Sequence, residues 1–384
     1  MNRNIFKVIF SRKLGQLTVV SENTTANGKA AAESVSSSQW GYTYSSALNP
    51  ISFLLMLTLG TAAILPVQAQ VVADPTAPGN QQATVLTTAS GVTQVNIQTP
   101  SAAGVSINQY KQFDVNSNGV VLNNSRTSTN TQIAGYVQGN PWLATGSARV
   151  IVNNVNSSNP SYLNGYVEVA GTKAEVIVAN PAGISVSGGG FINASRTTLT
   201  TGAPIINGGS LEGYRVTSGQ ISIDGQGLDT SQSDYTDILA RSVKVNAGIW
   251  ANNLKVTAGA NQIDATNSTA TAITGTGAAP SYAIDTAALG GMYAGKITLV
   301  GTEQGLGVNN AGQLAASAGN VAISSNGMLT NSGTINANGA DNAVTIDTTG
   351  VANSGTISSQ GNNHITANTV QNSGTLAAGR ELKV

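Results

Sequence analysis

The chain has 384 residues, room for one large domain or two ordinary ones, with 17 basic and 17 acidic side chains and no cysteine. Charged residues make up only 9%, and no basic field is dense enough to hold a phosphate backbone, which excludes nucleic acid as a partner. The fold must stand without disulfides, and 44 glycines among many Ser, Thr, Asn and Ala suit many turns around a narrow core.

In the first 50 residues Arg3, Lys7, Arg12, Lys13 and Lys29 outweigh Glu22 and Glu33. Residues 51–65, ISFLLMLTLGTAAIL, form an uncharged apolar run, shorter than the roughly 20 residues of a membrane-spanning helix. Pro66 breaks any helix there, and Val67-Gln68-Ala69 supplies the small residues that precede a cut. Residues 1–69 therefore read as a signal peptide, cleaved between Ala69 and Gln70. Its basic part is unusually long, and MNRNIFKVIFSRKLGQLTVVSE resembles the extended signal-peptide region of very large secreted proteins of Gram-negative bacteria.

Residues 70–90 form a polar lead-in with Pro75, Pro78 and Gly79. From about residue 91, short runs such as Val92–Ile97, Val150–Val152, Glu175–Val178 and Lys296–Val300 are separated by turns, several with period-two alternation. That pattern marks half-buried strands, and no amphipathic helix is expected after residue 70. Two Asn-Pro turns interrupt the strands: Asn140-Pro141-Trp142-Leu143 and Asn180-Pro181-Ala182-Gly183-Ile184. Asn before Pro favours turn initiation, and Gly183 supplies a permissive position. Asp224, Asp229, Asp234 and Asp237 form the one dense acidic group, with Arg241 nearby. Their Gly/Ser-rich setting reads as a solvated loop. With a single histidine, His364, inside a repeat, no catalytic residue, metal site or cofactor is expected.

Near the end a repeat appears: NAGQL at 310–314, NSGTI at 331–335 and again at 353–357, and NSGTL at 372–376. Repeats of about 20 residues read as turns of a solenoid. Leu314, Ile335, Ile357 and Leu376 are expected to stack inward as one column. The glycine before each is expected to supply a conformation that side chains resist. Asn310, Asn331, Asn353 and Asn372 can form a ladder across rungs about 4.8 Å apart. A facing sandwich has no reason to repeat one turn at this interval. The expected fold is all-β, a right-handed parallel β-helix with an N-terminal cap behind a signal peptide, allowing at most about 15 rungs. The chain stops at Arg380-Glu381-Leu382-Lys383-Val384 without a recognisable cap, and solenoids need caps, so a longer protein is expected.

The Asn-Pro turns, together with NQYKQFDVNSNGVVLNNS at 108–125, GFINASRTTLTTG at 190–202 and GGMYAGKITLVGTEQGLGVNNAG at 290–312, resemble the two-partner-secretion exoproteins. These are the filamentous-haemagglutinin and contact-dependent-inhibition family. The resemblance implies a haemagglutination-activity (secretion) domain over 91–300 and the start of β-helix repeats over 301–384. Departures are Trp142 and Ala182, where the family usually has Asn, and Val186 and Gly189, which match a cysteine pair of some members. The resemblance also implies export through the Sec machinery and recognition by a cognate outer-membrane β-barrel transporter with periplasmic receptor domains. Folding would follow at the outer surface, where a host or neighbouring bacterial cell is a further partner. Asn140, Pro141, Leu143, Asn180, Pro181, Gly183 and Ile184 are the expected secretion determinants, through transporter contact or by closing turns. A charge at Ile177 or Ile184, both expected inside the stack, would stall secretion. The readings from other classes are a β-helical polysaccharide-acting enzyme and a stand-alone adhesin module.

Overall fold

Short strands with one apolar face bury that face by stacking on their neighbours along one axis. The structure, a computed structural model, describes residues 6–11, 16–21 and 70–384. It divides into two units, Met1–Ile64 and Leu65–Val384. In the first, Phe6–Ser11 pairs antiparallel with Gln16–Ser21. The rest of the expected signal peptide, including its apolar core and Ala69, lies outside the described residues; Gln70 opens the described second unit.

The second unit is a parallel β-helix with three stacks of strands. One stack runs from Val105–Phe113 through Val150–Val155, Ala174–Ala179 and Ala194–Thr200, and onward to Asn363–Thr366 and Leu382–Lys383. A second climbs from Ser161–Leu163 through Ile184–Val186, Gln220–Ile223 and Ser242–Val245 to Val370–Asn372. A third climbs from Thr93–Asn96 through Val120–Asn124 and Tyr166–Gly171 to Thr375–Ala378. Long strands such as Gly248–Ala258 and Gly291–Gly301 serve two stacks at once, with continuous register between them. Among the described residues the helical pieces are two 3-10 turns, Gly79–Gln81 and Pro141–Leu143.

The interior is one aliphatic column per face. Met292, Leu314, Ile335, Ile357 and Leu376 are register partners; the first four are fully buried and Leu376 packs half-buried against them. Leu299, Ile323, Ile346 and Ile365 form another column. At the N-terminal end the core would meet water, and antiparallel strands close it. Val71–Ala73 pairs with Val105–Phe113, and Thr84–Thr87 pairs with Thr93–Asn96. Beneath them Tyr110 and Phe113 are fully buried, edge to face at 5.0 Å. This is the expected cap.

Fewer rungs form than the length allows, because segments leave the helix. Thr129–Thr131 and Gly135–Val137 make a hairpin. Ala203–Asn207, Ser210–Val216, Asn261–Asp264 and Ala270–Ala272 make a four-stranded antiparallel sheet. That sheet covers the outer side of the first stack through a second apolar cluster of Val105, Val152, Ile177, Tyr214, Leu239 and Ile263. Ile177, expected inside the stack, therefore faces outward and is buried by the sheet, whereas Ile184 lies in the central core.

Two further expectations are corrected. Gly312, Gly333, Gly355 and Gly374 do not take a positive φ. A Cβ on each would instead overlap the carbonyl oxygen of the glycine one rung below, Gly290, Gly312, Gly333 and Gly355 respectively. Close approach between rungs, not backbone conformation, selects glycine there. The acidic group is not a solvated loop either. Asp229, Asp234 and Asp237 belong to the strand Leu228–Ala240, and Asp237 is only 4% exposed.

Candidate functional site

The two Asn-Pro turns share one construction. Asn140 precedes the 3-10 turn Pro141–Leu143, and its Oδ1 accepts the Trp142 amide at 3.0 Å. Its Nδ2 donates to the carbonyls of Ile97 and Asn123, both at 2.9 Å. Its own amide reaches the Ser125 carbonyl at 2.7 Å, which closes the loop carrying the 129–137 hairpin. Asn180 repeats the scheme. Its Oδ1 accepts the Ala182 amide at 2.9 Å, and its Nδ2 donates to the Asn159 carbonyl and Ser161 Oγ, both at 2.9 Å. The Gly183 amide then bonds the Asn180 carbonyl at 3.0 Å, with Gly183 at φ +116°, where a side chain would be strained.

Each asparagine is a buried polar group with both ends of its amide used, so it stabilises the turn rather than costing desolvation. Leu143 and Ile184 follow into the core, 1% and 2% exposed. Pro141, Trp142, Pro181 and Ala182 face solvent. Sequence separation hides how the first turn is anchored: the Trp142 indole donates to Thr84 in the cap at 3.1 Å, and Thr99 Oγ1 donates to the Trp142 carbonyl at 2.8 Å. The two turns share no hydrogen-bond partner. Asn140 sits against the end of the third stack near the cap, while Asn180 sits at the corner leading from the first stack to the second. Both arms of the four-stranded sheet leave the helix at that same corner, on later rungs. Gly189, matched to a family cysteine, lies against Val186, so close that a Cβ would press on its Cγ1.

The repeat asparagines meet as expected. Nδ2 of Asn310 donates to Oδ1 of Asn331, Asn331 to Asn353, and Asn353 to Asn372, each at 2.7 Å. All the amides point the same way along the axis.

Ion pairs join coils of the helix where the excursions dock, their side chains also bonding Thr266, Asn267, Ala260 and Thr276 of the excursions, and nothing local in the sequence announces them. Arg196 pairs with Asp237 at 2.5 Å and stacks over Tyr235, its guanidinium carbon 4.8 Å from the ring centre. Asn267 donates to Asp237 at 2.8 Å. Burial pushes the Asp237 carboxyl up, against the pull of Asn267 and Arg196. Burial also pushes Glu175 up to about 7, with Arg196 drawing it back and Asp237 adding to the rise. Arg241 pairs with Glu303 at 2.7 Å and reaches the Thr276 carbonyl at 2.7 Å. That bond holds Glu303 below the usual carboxylate range. Among the described residues no three His, Cys, Asp or Glu side chains gather as metal ligands.

Comparison with known proteins agrees with this architecture. The model of the TPS secretion domain matches residues 69–336, and that of the extended signal peptide of the type V secretion system matches residues 1–42. The chain is 52% identical over 366 residues to "Toxin CdiA" of Yersinia pestis, covering 94% of this chain and 11% of that protein. It is 45% identical over 342 residues to "tRNA nuclease CdiA-2" of Burkholderia pseudomallei, covering 88% of this chain and 11% of that one. It thus spans about a tenth of the length of these curated relatives. The crystal structure of the filamentous hemagglutinin secretion domain superposes with a TM-score of 0.63 at 33% identity, over 81% of this chain and 99% of that one. With its parallel coils, its antiparallel cap and these matches, the chain belongs to the TPS secretion domain family, led by an extended signal peptide of type V secretion.

Proposed function

We propose that this segment carries a much longer exported protein of the contact-dependent-inhibition type to the cell surface. In this reading a cognate outer-membrane β-barrel transporter recognises it through periplasmic receptor domains, after Sec export and cleavage at Ala69–Gln70. Low charge and the lack of cysteine suit threading through a pore, and unpaired strand edges of a not-yet-folded chain suit pairing with a receptor sheet. Whatever toxin or adhesive activity the full protein has belongs to parts outside this chain.

The observation that carries the reading is the division of labour in the two turns. Asn140, Leu143, Asn180, Gly183 and Ile184 are spent inside the fold, while Pro141 and Pro181 stand at the surface. We assign the first group to closing the turns once the chain emerges, and the prolines to presetting those turns.

The test compares export and folding for Asn180→Ala and Pro181→Ala in cells carrying the transporter. Asn180→Ala should lose about 1–3 kcal/mol in refolding of the purified chain, with surface export falling in proportion. Pro181→Ala should change both little. Normal stability of Asn180→Ala with blocked export would overturn the folding role in favour of direct transporter contact.

A further inference from the structure

On the outer face of the third stack, Tyr166, Gly190, Asp229, Trp250 and Tyr293 succeed one another rung by rung in register. Aromatic residues are only 5% of the chain, yet three of these five positions carry one. Trp250 is 44% exposed and Tyr293 36%. Their planes lie within 17° of parallel with ring centres 6.3 Å apart, wider than the rung spacing of about 4.8 Å, so the rings are offset along the surface.

Glycines lie beneath the rings. The Tyr166 ring fills the place of a side chain at Gly190, the Trp250 ring that of Gly248, and the Tyr293 ring that of Gly291. Gly248 and Gly291 are themselves register partners. None of these three glycines has a positive φ, so the backbone does not demand them; the rings do. Large apolar rings normally go where water cannot reach, but here the fold seats them on a glycine floor with one side toward solvent.

Polar groups are fixed beside them. Asp229 Oδ2 accepts the Tyr166 hydroxyl at 3.0 Å, and Oδ1 accepts the Ser231 amide and hydroxyl at 3.0 and 2.6 Å. These bonds orient the carboxylate and leave acceptor capacity open. Tyr293 Oη meets Gln313 Oε1 at 3.2 Å. An open groove of about 400 Å³ between Tyr166 and Trp250 is bordered by Asp229, Ser231 and Gln226.

We infer that this column binds a neutral pyranose oligosaccharide lying along the helix axis. Flat exposed rings match the C–H faces of successive sugar rings, and a preset carboxylate with neighbouring amides matches vicinal hydroxyls. A sugar residue has a length close to one rung, so rings on adjacent rungs meet adjacent sugars. The groove contains a carboxylate and neither Lys nor Arg, so phosphate, sulfate and uronate polymers are repelled. A peptide strand has no edge to join here, because this column lies on strands that are paired on both sides.

The experiment titrates the full 384-residue chain by calorimetry with cellohexaose, maltohexaose and chitohexaose, and with hexagalacturonate as the acidic counterpart. Saturable binding of at least one neutral hexasaccharide is expected, with hexagalacturonate at least about tenfold weaker. Trp250→Ala and Tyr293→Ala should each weaken binding about tenfold, and Trp250→Phe should restore part of it. Thermal melts should be close to wild type, since both side chains are surface-exposed, and export from cells should be unchanged. No binding of any neutral hexasaccharide, equal binding of the acidic one, or alanine variants that bind like wild type would each overturn the assignment. Export readouts stay separate, so this site can fail while the secretion role stands.

Discussion

At Asn331 the side-chain amide accepts from the rung below and donates to the rung above, both at 2.7 Å. Asn331→Ala breaks both bonds and leaves buried partners on each side, so a loss of about 1–3 kcal/mol is expected in chemical denaturation. Gly333 tests the other half of the corner. Since a Cβ there would overlap the Gly312 carbonyl, Gly333→Ala should cost about 1–3 kcal/mol through overpacking. Gly79→Ala, where a Cβ meets nothing within 4 Å, should stay within about 0.5 kcal/mol of wild type. Equal midpoints for the two glycine variants would refute the close-approach explanation. The ladder was legible from sequence because its spacing of 21, 22 and 19 residues repeats one chemical need. The reason for glycine was not, because both left-handed backbone and crowding select the same residue, and only coordinates separate them.

Among the elements, the four-stranded sheet is the part the sequence concealed. Its strands come from two insertions, 203–216 and 261–272, and alternation alone cannot tell a strand that leaves the helix from one that stays. The strand that carries the acidic group is hidden for a similar reason. A bulge divides Leu228–Ala240 between two stacks, so no single period runs through it. The junction of sheet and helix contains Glu175, whose Oε1 has no hydrogen-bond partner and which burial pushes up to about 7 from 4.5. A folded-state pKa raised above the unfolded value means the native state binds the extra proton. The Glu175 contribution to stability should therefore be fully present below about pH 4.5 and be lost as pH rises through about 7, by about 3 kcal/mol. Glu175→Gln should flatten that slope and raise stability at pH 8. Parallel pH profiles for the two proteins would show that Glu175 is solvated in the native state.

For the whole molecule, the central aliphatic column and the cluster under the four-stranded sheet are separate stores of buried surface. Ile184 belongs to the first and Ile177 to the second. Ile184→Asp puts an unpaired charge into the continuous core and should cost more than about 4 kcal/mol, with loss of surface export. Ile177→Asp should chiefly detach the sheet, seen as hydrogen exchange and proteolysis confined to 203–216 and 261–272 while the coils persist. Global unfolding by Ile177→Asp would show that sheet and helix are one cooperative unit. The stacking plan was readable from the repeats, which begin at residue 310 and cover about the last fifth, and from the short alternating strands before them. Where each segment turned outward was not, because that choice rests on contacts between distant residues such as Asn267 and Asp237.

The Arg241–Glu303 pair spans 62 residues, whereas successive repeat asparagines lie 19 to 22 apart. If coils form in chain order, this difference sets an order of closure. An ordinary coil closes on the next one, but the clasp over 241–278 waits for Glu303. Until then that corner has no ion pair to hold it, so a single carboxylate completes it.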